Sequence, residues 1–145
     1  MECWTCLSNT GERRISPGVT IFAGQYWLLE HAYPVSQKGW LVIVLKRHAE
    51  ALHDLTAAEF AELAQIQARA AQLLHETLNC QKEYLSCFAE AEHFHHIHFH
   101  VFAKPYDFPP ELMGTKSFAL LKVSDAEAVS AAELADFCQV LRARF

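Results

Sequence analysis

From Glu92 to Lys104 the chain reads Glu-His-Phe-His-His-Ile-His-Phe-His-Val-Phe-Ala-Lys, so that His93, His95, His96, His98 and His100 fall within eight residues. From His96 onward histidine alternates with apolar residues, the period-two signature of a half-buried β-strand. Ile97, Phe99 and Val101 are then expected to enter a core, with His96, His98 and His100 sharing the opposite face. Imidazoles at alternate positions stand about 7 Å apart, from a rise of ~3.3 Å per residue. Three of them on one face suit a phosphate group or a metal ion, because burying unpaired imidazoles without a ligand is costly. A second constellation opens the chain. Cys3-Trp4-Thr5-Cys6 places two thiols at a spacing that can grip one zinc ion from a tight turn, with two more ligands supplied from elsewhere. The plainer alternative is two incidental cysteines near a frayed end.

These residues need a scaffold, and the rest of the sequence outlines one. Val19–Ala23 reads as a strand, with Gly24-Gln25 as a tight turn into a second strand, Tyr26–Glu30. His31 to Gln37 reads as a loop containing Pro34. Trp40–Leu45 is a continuous, β-branched apolar run, expected as a central strand covered on both faces. His48 follows it at the rim of the sheet. Thr56 and Glu59 form a capping box opening a helix to about Leu78, with Phe60, Leu63, Ile66, Ala70, Leu73 and Leu74 toward the sheet. Glu83–Ala89 is a further strand, joined by a short turn to the histidine strand and expected antiparallel to it. Ser117–Val123 reads as a short strand. Ser130 and Glu133 form a second capping box, for a final helix with Leu134, Phe137, Val140 and Leu141 on one face. His53 and His75 read as surface residues. The expected fold is α+β: an antiparallel sheet of about five strands, a long helix packed on it and a C-terminal helix.

The chain has 145 residues, 52 % apolar and 20 % charged, as expected for one globular domain over residues 1–145. A net charge of −5 and no basic cluster argue against a nucleic-acid polymer as partner. A small phosphate ligand needs only a few local donors. No apolar run approaches the roughly 20 residues that span a bilayer, and no charged-then-apolar leader is present, so no membrane partner and a cytoplasmic location are expected. Five cysteines, an odd number, fit a reducing compartment better than a disulfide framework.

His-Ile-His-Phe-His-Val-Phe, from His96 to Phe102, resembles the motif of the histidine-triad family. Lys38 to His48 is similar to that family's glycine, central strand and basic-basic-histidine passage, and the long helix and preceding strand fall in the expected order. The similarity covers roughly residues 1–104. Residues 105–145 resemble the C-terminal extension of a zinc-containing bacterial-type branch. The resemblance implies a homodimer that binds a nucleotide and acts at its α-phosphate, as a hydrolase or nucleotidyl transferase, through a nucleotidyl-histidine intermediate. It assigns His98 as the nucleophile, His100 to the phosphate region or to steadying the reacting ring, and His96 to orienting the site. Imidazole suits this chemistry, since a neutral ring nitrogen is a good nucleophile near pH 7 and a neighbouring protonated ring stabilises phosphate charge. The resemblance also implies a structural zinc held by Cys3, Cys6, His48 and His96.

The turn before the motif departs from the family pattern. Ala91-Glu92-His93 stands where a glycine and small polar residues usually hold the phosphate; His93 is the expected substitute donor. Lys104 replaces a more usual arginine, keeping charge without the bidentate fork. Glu30 is the nearest equivalent of the family's ribose-binding acid. Two other functions stay open at this stage. One is a nucleotide-binding regulatory module without catalysis. The other is a metalloenzyme built on the histidine cluster itself.

Overall fold

The apolar run Trp40–Leu45 does become the strand about which the molecule is built. The computed structural model describes residues 1–145. Its strands are β1 (Phe22–Ala23), β2 (Trp27–His31), β3 (Trp40–Leu45), β4 (Lys82–Ser86) and β5 (His98–Lys104), in one antiparallel sheet of order β1-β2-β3-β5-β4. The helices are α1 (Trp4–Thr10), α2 (Ala57–Leu78) and α3 (Ala131–Arg144). No helix is long and apolar enough to cross a membrane.

Register decides which side chains share a face. Leu28, Val44 and His98 form one row across β2, β3 and β5; Glu30, Val42, His100 and Ser86 form the next. Leu29, Ile43 and Phe99 occupy the alternate positions, and that opposite face packs on α2. The core there includes Trp27, Leu29, Leu41, Ile43, Leu63, Ile66, Leu73, Ile97 and Val101. Ile97, Phe99 and Val101 thus face the core as their alternation predicts.

The α2 capping box forms as expected: Thr56 Oγ1 accepts from Glu59 N–H at 3.1 Å, and Glu59 accepts from Thr56 N–H at 2.8 Å. The helix phase differs at its first turn. Phe60 is 42 % exposed, whereas Glu59 is buried and ion-paired with Arg47 at 2.7 Å, so the inward position goes to a neutralised carboxylate. One turn on, Glu62 accepts from the backbone N–H groups of Gln25, Tyr26 and Trp27 at 2.6, 2.8 and 3.0 Å, fastening the β1–β2 hairpin to the helix. At Gly24 a Cβ would lie 2.7 Å from a Glu62 oxygen, so a larger residue there would have to push this carboxylate aside.

Residues 105–121 cover part of the other sheet face, while α3 sends Phe137, Cys138 and Leu141 into the core shared with α2. Two 3-10 helices, Pro110–Leu112 and Gly114–Leu121, lead to α3. Ser117–Val123 is therefore not a strand: Phe118 turns down onto Trp40 and Phe88, with ring centroids at 5.2 and 5.5 Å, so the segment lies over the sheet and not beside it. Phe108, Leu120 and Leu134 pack there with Trp40 and Phe102 in a second apolar cluster. At α3 the Ser130 side chain accepts from Glu133 N–H at 3.2 Å. Val140, placed on the packed face by its spacing, is 49 % exposed, while Leu134, Phe137 and Leu141 are buried.

Three further differences matter for the site. The N-terminus forms a helix, α1, with Cys3 Sγ accepting from Cys6 N–H as its cap. β5 begins at His98, two residues later than the alternation implies. His31 is a buried β2 residue on the α2 side of the sheet and not a loop position; its ring accepts from Gly39 N–H and donates to Ala32 O.

Candidate functional site

At the rim of the sheet, α1 brings two thiols against two imidazoles. Cys6 Sγ lies 3.4 Å from Nδ1 of both His48 and His96, and Cys3 Sγ lies 3.7 Å from His96 Nδ1. All four donor atoms fall within 4.8 Å of one another. An ion with bonds of about 2.3 Å to sulfur and about 2.0 Å to nitrogen has tetrahedral edges near these lengths. Both rings are oriented for it. His96 Nε2 donates to Leu45 O at 2.6 Å and His48 Nε2 to Glu50 Oε1 at 3.0 Å, which leaves both Nδ1 lone pairs facing the sulfurs. Such outer partners set the tautomer of metal-binding histidines. Burial, with the neighbouring Cys3 sulfur as a smaller cause, pushes the Cys6 thiol up to about 11. The donor set fits a closed, four-ligand site.

Only two residues along, the chain serves a different space. A cavity of about 530 Å³ has His98, His100, Val42 and Val44 on its floor, α1 on one wall and Phe118 on another. His96 is fully buried and belongs to the thiol group, so the three triad histidines do not share one face. The strand alternation starts only at His98. His98 Nδ1 donates to His96 O at 2.7 Å, which leaves Nε2 with its lone pair. His100 Nδ1 accepts from the Trp40 indole N–H at 2.9 Å, which leaves the ring proton on Nε2. Neither Nε2 has a protein partner, and no fully buried polar side-chain atom is left unpaired, so both reach the cavity surface. The two rings lie 4.9 Å apart. Burial lowers both pKa values, that of His100 to about 3 with the neighbouring His98 as a smaller cause. The floor therefore offers one lone pair and one hydrogen-bond donor side by side.

The remaining candidates divide. Glu30 lines the cavity, but its carboxylate is already bound: Arg14 grips both oxygens at 2.9 and 3.1 Å, and Thr20 donates to Oε1 at 2.7 Å. Arg13 and Lys122 also line the cavity and supply positive charge, whereas that of Arg14 is balanced by Glu30. His93 does not; its ring stacks on Trp4 at 4.4 Å, and Nδ1 donates to Glu2 O at 3.0 Å. Of the turn before the motif, Ala91 and Phe94 meet the cavity. Lys104 lies at the far end of β5, buried and hydrogen-bonded to Gln81. A second donor group, His75, Cys80 and Glu83, uses its protons internally: the Cys80 thiol donates to Glu83 and His75 Nδ1 to Cys80 O. Neither donor group contains His98 or His100. Motif and spacing do not single out Trp40, Arg14 or Trp4, which the structure places around the two sites. Trp40 does carry a signal, since an indole inside a buried strand needs an acceptor for its N–H.

Comparison with known proteins places this geometry. Residues 7–115 match a family model described as "Scavenger mRNA decapping enzyme C-term binding". No curated protein matches the sequence. Among solved structures, a histidine triad protein from Bradyrhizobium japonicum aligns with a TM-score of 0.70 at 19 % identity, over 86 % of this chain and 88 % of that one. A Zn-bound histidine triad family protein from Mycobacterium smegmatis aligns at 0.69 and 18 % identity, over 98 % and 94 % of the two chains. A diadenosine triphosphate hydrolase from Plasmodium falciparum aligns at 0.66 and 8 % identity, over 86 % and 74 %. Identities this low establish a shared fold.

Proposed function

The chain belongs to the histidine-triad family, and on that premise we propose that it binds a nucleotide in the 530 Å³ cavity and acts at the α-phosphate through His98. The observation that carries this is the pairing on the cavity floor: a free Nε2 lone pair on His98 beside an Nε2–H donor on His100. In the first step His98 Nε2 attacks phosphorus, a P–N bond forms and the bond to the leaving group breaks. In the second, water attacks phosphorus, the P–N bond breaks and His98 is released; a second phosphate in place of water would make the reaction a transfer. His100 donates to a phosphate oxygen, and the backbone carbonyl of His96 holds the reacting ring. Arg13 and Lys122, the cavity's cations without a carboxylate partner, balance phosphate charge.

We assign the thiol–imidazole group to a structural zinc held by Cys3, Cys6, His48 and His96. Zinc there would tie α1, a wall of the cavity, to the strand end that carries His98. Exposed Leu85 and Phe88, on and beside the edge strand β4, support a homodimer. The first compounds to test are dinucleoside polyphosphates and capped-RNA fragments, after the names of a diadenosine triphosphate hydrolase and of the decapping-enzyme family model, together with nucleoside phosphoramidates and adenylated small molecules. A screen of these against the wild-type protein and His98→Asn is expected to give turnover in the first and none in the second. Nucleotide binding by calorimetry, with no turnover of any compound and no nucleotidyl-histidine on quenching, would instead make the protein a binding module.

A further inference from the structure

Trp40 opens β3 opposite Phe102, and its indole is 1 % exposed. It is held on both sides, with Phe102 at 4.8 Å and Phe118 at 5.2 Å between ring centroids. An indole has one proton to give and no lone pair to offer. That proton goes to Nδ1 of His100 at 2.9 Å. We propose that Trp40 is a positioning residue for the reaction: it holds His100 as the neutral Nε2–H tautomer, so that the site presents a fixed donor, not a cation, beside His98, and favours substrates whose leaving group departs as an anion. The inference rests on the proposed phosphate chemistry for its catalytic consequence, though not for the tautomer itself.

Protonating His100 would place a second N–H on Nδ1, facing the indole N–H donor to donor. Trp40 would then lose its one acceptor in a place that water does not reach. No other group compensates. On β5 the neighbour is His98, at 4.9 Å. β3 contributes Trp40 and Val42, β4 contributes Ser86 across the register, and Phe118 packs at 4.8 Å. The carboxylate in the same row is Glu30, one strand beyond Val42, and its oxygens are taken by Arg14 and Thr20. The other charged side chains on the cavity walls, Arg13 and Lys122, are cations and offer an imidazolium no counter-charge.

A neutral imidazole can hydrogen-bond a departing oxygen, but it cannot hand over its one N–H proton without becoming an imidazolate. The leaving group must therefore depart with the electron pair of the broken bond and without a proton from His100. A phosphate or carboxylate does so readily, since its conjugate acid is strong; an amine does not. The site accordingly suits nucleoside phosphoanhydrides, such as dinucleoside polyphosphates or acyl adenylates, over nucleoside phosphoramidates.

Nitrogen-15 spectra of the histidine-labelled protein read the tautomer without any turnover. In the wild type, His100 is expected to show a bare Nδ1 and a protonated Nε2 from about pH 5 to 8, with no titration, whereas an isolated histidine titrates in this range. In Trp40→Phe the ring is expected to titrate or to mix tautomers. A wild-type His100 that titrates here, or that carries its proton on Nδ1, overturns the proposal whether or not a substrate is known. So does a Trp40→Phe spectrum identical to the wild type. With an active anhydride substrate, Trp40→Phe is expected to lower kcat about tenfold while KM changes less than about twofold. In a His100→Gln background, where the side-chain amide supplies a donor that has no tautomer, Trp40→Phe is expected to cause no further loss. An equal loss in both backgrounds would show Trp40 to be packing alone. A wild-type preference for the phosphoramidate over the matched anhydride would refute the leaving-group assignment.

Discussion

The Nδ1–H of His98 donates to the main-chain carbonyl of His96 at 2.7 Å, while the His96 ring points the other way, into the group formed with Cys3, Cys6 and His48. One residue thus joins the two sites, its side chain serving the thiol group and its backbone orienting the ring on the cavity floor. Disturbing either end should be felt at the other.

Replacing His98 with asparagine or alanine should abolish turnover with little change in stability, because the ring is partly open to the cavity and makes one hydrogen bond to backbone. Loss of that bond is worth about 1 kcal/mol. Steady-state kinetics together with urea unfolding check this. Turnover retained at wild-type level would remove His98 from the nucleophile role.

Zinc is expected at about one equivalent per chain, from a single four-ligand site. Cys6→Ser should drop the content well below half, and a strong chelator should do the same to the wild type. The metal-free protein should melt at least about 5 °C lower, as for any ligand bound by the native state alone. Elemental analysis and calorimetry decide it; full zinc content in Cys6→Ser would place the ion elsewhere.

Acid should destabilise the fold through His31. Its ring is 1 % exposed, and burial lowers its pKa to about 4 from an ordinary 6.5. Between those values the unfolded chain binds the proton and the native chain does not, so stability rises with pH across the window. It is complete above about pH 6.5 and is lost as pH falls toward 4, by about 3 kcal/mol in all at 1.36 kcal/mol per unit. Denaturation midpoints of the wild type and His31→Gln, measured from pH 4 to 7, should diverge in slope, the variant being flatter. Parallel slopes would exclude this residue as the cause.

Arg14→Ala should destabilise by roughly 2–3 kcal/mol, since Glu30 is buried and would keep Thr20 as its one remaining partner. Arg14→Lys should recover part of the loss, because lysine restores the charge without the two-pronged grip on both oxygens. Chemical denaturation gives both values. A change below about 0.5 kcal/mol for Arg14→Ala would mean that the pair contributes little.

Much of this architecture is legible residue by residue. The β-branched run of β3 and the Thr56–Glu59 capping box mark their elements within a residue, because hydrogen bonding and local burial decide them within a few positions. The alternation from His98 to Phe102 is equally local. Ser117–Val123 is not legible, since a short apolar run is strand or 3-10 helix according to what lies beneath it, and here that is Trp40. Phe60 departs from its expected face because the apolar period does not foresee a neighbouring carboxylate neutralised by Arg47. His31, too, takes its buried place from Gly39 and Ala32 across a turn.

By itself the sequence determined that a strand of alternating histidines meets a central apolar strand, and that a thiol pair stands at the front of the chain. Both follow from short-range periodicity and residue chemistry. The family resemblance implied the division of His96 from His98 and His100; tertiary structure alone decided where the ladder starts and which way each ring turns. The ladder starts at His98, so His96 turns toward α1 while His98 and His100 line the cavity. Register sets Glu30 in one row with His100, and the covering segment from residues 105–121 closes over Trp40. Which nitrogen of His100 is free depends on a hydrogen bond spanning 60 residues of sequence, and a distance of that kind is set by the packing of the sheet.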